Sequence, residues 1–232
     1  TYKHVNSAFT TSCVKDGTIY IYRYEEWFKV FVHETFHNLG LDFSVMNVSS
    51  ESSKLRKHFN IKSDMLFFET YTETWAEIMN IVILSFKNTN NFKDFHKSFN
   101  KCMRFERVFS LFQCVKVLNF MGITHQDLVD SGEEALLKKQ TLYKEETNVF
   151  CYYVLKNFVI QHYDLFVLWC GENNIELLQF KNTPENLKKF VAFIKMVSDE
   201  QGEYMLMEKI YREKFDKSDL FQTMKMTICE FN

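Results

Sequence analysis

The chain contains a single proline, Pro184, and only 6 glycines among 232 residues. So few breakers argue against a linker-rich or heavily turned all-β chain and leave long uninterrupted helices as the default. Its six cysteines (Cys13, Cys102, Cys114, Cys151, Cys170 and Cys229) include no C-x-x-C pair, so the common dithiol redox and zinc-knuckle motifs are missing. They fall in apolar segments and are expected to be free, buried thiols of a reducing compartment. Neither sign of charge dominates. A net charge of −2 argues against nucleic acid as the main partner, because binding to phosphates needs a basic surface. Long hydrophobic runs are also missing. The most apolar stretch, Val149 to Cys170, carries Lys156, Asn157, Gln161, His162 and Asp164, and reads as a buried helix rather than a membrane span. Residues 1–16 lack the apolar core of a secretory signal. These absences lead us to expect a soluble, intracellular protein with no membrane partner.

Aromatic residues are abundant, with 25 Phe and 11 Tyr, enough for a large core in one domain or two closely packed lobes. Richness in Phe and Asn suits an AT-rich genome such as that of a large DNA virus, which makes a virion a second expected location.

Thr18-Ile19-Tyr20-Ile21-Tyr22 follows an Asp16-Gly17 turn signal and is the best strand candidate, with Val5 to Val14 available to pair with it. From Glu25 the pattern turns helical and closes at Gly40, where a left-handed C-cap is expected. Residues 42–63 read as a loop with a short helix over 54–59. Ser63 and Asp64 suit the start of a second long helix over 64–86. Further helices are expected over 105–122 and 146–170, from Thr183-Pro184, and after Gly202 and Asp216. The expected class is α+β and predominantly helical: a small N-terminal β-sheet with an active-site helix over residues 1–90, then a helical lobe over 91–232 that closes the cleft.

The chemistry is concentrated in Val30 to Leu39, which contains His33-Glu34-Thr35-Phe36-His37. Residues four apart on a helix share a face, so both imidazoles can reach one ion, while Glu34 approaches a water beside it. Composition alone gives roughly 0.02 expected occurrences of this pattern, which makes chance a poor explanation.

With its apolar flanks, this H-E-x-x-H segment resembles the zincin metallopeptidases over residues 18–80. The resemblance implies a zincin-like fold, one Zn2+ per chain and hydrolysis of peptide bonds. Glu34 would be general base, and the strand at 18–22 would pair with an extended peptide or protein substrate. In the metzincin branch a third ligand follows three residues after the motif's glycine. Here Gly40 is present but Phe43 stands at the ligand position, and Asp42 falls one residue early. The gluzincin branch instead takes a Glu from a second helix. Glu69, Glu73 and Glu77 lie on one face of the helix expected there. Glu73 has a small residue, Ala76, at +3 and an acid, Glu77, at +4. Glu73 is therefore the expected third ligand, with Glu77 orienting a ligand histidine and Glu69 the alternative ligand. His162 and Tyr153 are candidates for stabilising the oxyanion, and His4, His58, His96 and His125 are expected at the surface. The alternative function is an inactive structural or interaction protein on a metallopeptidase scaffold.

Overall fold

The computed structural model describes residues 7–11, 16–199, 202–213 and 222–230. Strand β1 (Ala8–Thr10) pairs antiparallel with β2 (Ile19–Ile21), Phe9 opposite Tyr20. Those two exposed rings stack 4.7 Å apart on the outer face of the hairpin. The hairpin lies against α1 (Trp27–Asn38), which carries the motif.

Helix α1 ends as the glycine predicts. Gly40 has φ 63, its N–H donates to the His37 carbonyl, and the Leu41 N–H reaches back to Phe36 at 2.9 Å. This is a Schellman turn, which a side chain at residue 40 would strain. It sends the chain back so that Phe43 enters the core, its ring 4.4 Å from Phe180 and 5.9 Å from Tyr71.

The expected 42–63 loop is largely helical instead: α2 spans Ser49–Phe59 and buries Leu55 and Phe59. Tertiary packing of two apolar residues outweighs a serine-rich composition. Helix α3 (Phe68–Lys87) starts later than Ser63 and Asp64 suggest. Ser63 accepts from the Met65 N–H, and Met65 takes φ 50, so the serine caps a turn instead of the helix.

The long α4 (Phe92–Phe120) is capped by Asn91, which accepts from the Asp94 N–H, and it stops at Gly122 with φ 77. Short helices α5 (His125–Val129) and α6 (Glu133–Thr141) follow. A π-helical turn, Phe150–Leu155, runs into α7 (Lys156–Gln161), and α8 (Tyr163–Asn173) continues after a break at His162. Helix α9 (Pro184–Ser198) has the expected Thr183 cap, and α10 (Tyr204–Glu213) follows Gly202. The helix expected after Asp216 and the outer parts of the Val5–Val14 segment fall outside the described residues, as do His4 and Cys13.

One hydrophobic cluster runs from Phe36 to Met226 and so straddles residue 90. It joins α2, α3, α4, α7 and α9 around Tyr71, Phe166, Phe180 and Phe190. The five described cysteines are free. Among the described residues no helix is long and apolar enough to cross a membrane. The chain is thus predominantly helical with a two-stranded sheet, as its composition implies.

Candidate metal centre

Helices α1 and α3 pack against each other and bring three donor groups together: His33, His37 and Glu69. The two Nε2 atoms are 3.1 Å apart. A Glu69 carboxylate oxygen lies 3.2 Å from His33 Nε2 and 3.3 Å from His37 Nε2.

The opposite sides of both rings are engaged. His33 Nδ1 meets Glu73 at 2.8 Å, and His37 Nδ1 meets Asp42 at very short range. Carboxylates at Nδ1 hold the proton there and leave the Nε2 lone pairs facing each other and Glu69. The Glu69 oxygen at the convergence is buried and lacks a hydrogen-bond partner. Lone pairs and a carboxylate so arranged repel one another unless a cation or added protons lie between them. The set therefore fits a divalent ion. Two imidazoles and one carboxylate are donors that suit zinc and leave coordination positions for solvent or substrate.

In the chain alone, protons must do the cation's work. Burial would lower the His37 pKa, but Asp42 and Glu69 outweigh it and raise it to about 10. His33 is also raised against its burial, by Glu69 and Glu73. Glu69, whose burial would raise it, is held at about 2 by the two imidazoles.

The carboxylate that meets both Nε2 atoms is Glu69, the alternative ligand, and Glu73 does not reach them. Glu73 sits one turn further along α3, where it bonds Lys29 Nζ at 2.5 Å as well as His33 Nδ1. Lys29 precedes His33 by one turn of α1, is buried, and demands an acid. This pairing decides the register. The acid expected to orient a histidine, Glu77, lies deeper still and pairs with buried Lys156. The three glutamates thus form a ladder along α3 that meets the imidazoles, Lys29 and Lys156 in turn.

Thr72, at +3 from Glu69, is fully buried and donates to Asp42 at 3.2 Å, so a hydroxyl serves where a small residue was expected. Asp42 was expected to fall one residue short of the metzincin ligand position. The Gly40 turn instead swings it onto His37, with Ser44 donating to its second oxygen through both N–H and hydroxyl. A buried lysine at −4 from the first histidine is the sequence signal that reassigns Glu73. No comparable signal marks Asp42.

Glu34 lines a cavity of about 40 Å3 together with Ala8, Lys29, His33, Tyr152 and Met226. Burial raises its pKa, and the neighbouring imidazoles partly offset the rise. A carboxylate so placed is a more effective proton acceptor near neutral pH than an exposed one.

The aromatic hydroxyl at the site belongs to Tyr152, whose ring centre is 6.1 Å from that of His33. Its pKa is driven well up by burial and by Glu69 beside it. Tyr153, the expected candidate, faces the other way and donates to the Met224 carbonyl at 2.6 Å. His162 lies at the α7–α8 break and lines a different cavity with Arg104 and Arg107. His125 is buried rather than exposed, stacked 3.6 Å from Tyr204.

No family model matches the chain, and no match is found among curated proteins or solved structures.

Proposed function

We propose that the protein is a zinc-dependent peptidase in which His33, His37 and Glu69 hold the ion and Glu34 is the general base. The observation that carries this reading is the meeting of three donor atoms whose outer sides are already committed to Glu73 and Asp42. Bound there, zinc would supply Lewis acidity toward water and toward a peptide carbonyl.

The chain's own residues do the rest. Glu73 and Asp42 fix the tautomers of the two histidines. Glu34 takes a proton from the attacking water and returns it to the leaving amine. Tyr152 presents a hydroxyl that can donate to the oxygen on which charge develops. An extended peptide would lie along the hairpin edge, beside Ala8 at the cavity.

An inactive metal-binding scaffold is the second reading, and the small size of the cavity favours it. Zinc content and cleavage of a peptide library, measured on the wild type and on Glu34→Gln, separate the two. The peptidase reading expects about one zinc per chain in both proteins. It also expects cleavage lowered by roughly 10²–10⁴-fold in the variant. Zinc without cleavage in either protein supports the scaffold, and a wild type that takes up no zinc removes both readings.

A further inference from the structure

We propose that residues 223–229 form a displaceable wall of the candidate chamber, held by main-chain hydrogen bonds and opening to admit an extended peptide. The identity of the visitor rests on the peptidase reading; the motion does not.

The cavity of about 40 Å3 is narrow, and His33 and Glu34, which line it, and His37 beside them are nearly buried. An extended peptide gains full access to Glu34 only if one wall gives way. Helices α1 and α3 carry the donor set and cannot part without dismantling it. Tyr152 stands on the π turn, where the neighbouring Cys151 carbonyl accepts from buried Thr70. Ala8 is tied into the β1–β2 ladder, whereas the segment that carries Met226 belongs to no helix or strand.

Side chains of the helical body hold that segment mostly by its backbone. Glu26 accepts from the N–H groups of Met226 and Thr227 at 2.6 and 2.7 Å. Gln113 donates to the carbonyls of Thr223 and Lys225, Tyr153 to that of Met224, and Asn80 to that of Cys229. Its side chains add the Thr227 hydroxyl, bonded to Glu106, the Cys229 thiol, which donates to the Cys102 carbonyl, and the buried Met226. Contacts of this kind read an extended chain rather than a sequence, as in recognition by β-strand addition.

Release would take N–H or O–H donors from two buried carboxylates, Glu26, which keeps Arg23, and Glu106. An incoming peptide carries the same N–H donors and can replace those lost, which couples opening to substrate. Glu26 also has φ 59 at the head of α1, a sparsely populated conformation that the docked segment helps to maintain.

The test combines hydrogen exchange with zinc stripping. Amide exchange of Met226 and Thr227 is followed in the wild type, Tyr153→Phe and Gln113→Leu. Zinc-loaded samples of each are challenged with a chelator. The proposal expects the two amides to exchange by local opening, faster than those of Ile78 and Ile81 in α3. Tyr153→Phe should raise that exchange roughly fivefold, the effect of one lost neutral hydrogen bond. Gln113→Leu should raise it further because it loses two, and both should speed zinc release in parallel. Met226→Ala keeps the main-chain anchors but removes a buried side chain from the wall, so it should speed both zinc release and exchange.

Exchange of Met226 and Thr227 only through global unfolding overturns the proposal. So does zinc release that is unchanged in Met226→Ala and in any loosened variant that keeps α3 protection. Should the protein take up no zinc, the peptidase reading fails, while the exchange data still decide whether the segment opens.

Discussion

At the scale of single residues, the candidate site is a division of labour among four carboxylates. Glu69 faces the shared side of the imidazoles, Glu73 and Asp42 face their outer nitrogens, and Glu34 faces the cavity. Substitutions should therefore grade. Glu69→Gln should reduce zinc affinity most. Asp42→Asn should cost roughly 10–100-fold, as expected for a partner that orients a ligand. Glu73→Gln should weaken zinc binding similarly but also destabilise the fold, because it leaves Lys29 buried without its acid. Titration against a competing zinc indicator, with melting curves alongside, distinguishes the three. Equal affinities for Glu69→Gln and Glu73→Gln would contradict the assignment. A second residue-level effect lies far from the site. Burial pulls the His125 pKa down to about 4, and its Nε2 has no partner. The unfolded chain takes up that proton more readily, so this contribution to stability is complete above about 6.5 and is lost as the pH falls toward 4. Unfolding free energies from urea denaturation at pH 7 and pH 4.5 should differ by on the order of 2 kcal/mol from this group alone, and the difference should shrink in His125→Phe.

At the scale of elements, α1 was legible to within a turn because motif, periodicity and glycine cap agree on it. Helix α9 was legible from Thr183-Pro184 alone. The register of α3 against α1 was not. Three glutamates at four-residue spacing are equivalent in a sequence, and only the buried lysines opposite distinguish them. Tyr152 and Tyr153 were indistinguishable for the same kind of reason. Adjacent residues face apart, and the widened turn at Phe150–Leu155 shifts the helical register that would have told them apart. The ladder along α3 carries its own test. Lys156→Met should cost about 3–5 kcal/mol by leaving Glu77 uncompensated in the core, whereas adding Glu77→Gln should restore much of that loss. Chemical denaturation of the single and double variants measures the coupling, and simple additivity would show that the pair is not a unit.

At the scale of the whole molecule, a boundary at residue 90 suits the chemistry better than the packing. The motif and its third carboxylate do lie before it, but the same aromatic cluster continues to the end of α9 and beyond. Far-ultraviolet ellipticity and tryptophan fluorescence should report one coincident unfolding transition, with zinc raising its midpoint by mass action. Separate transitions for the two halves would argue for independent lobes. The continuity has a further consequence for how such a site comes into being. The Leu41 carbonyl, beside Asp42, is held by the Phe180 N–H, and Glu26, at the head of the motif helix, receives Met226 and Thr227. During synthesis the donor residues His33, His37 and Glu69 emerge well before the bracing groups at Phe180, Met226 and Thr227. On the proposed reading, zinc capture waits for residues 180–227, and until they emerge the His33 and His37 pair lacks its full bracing.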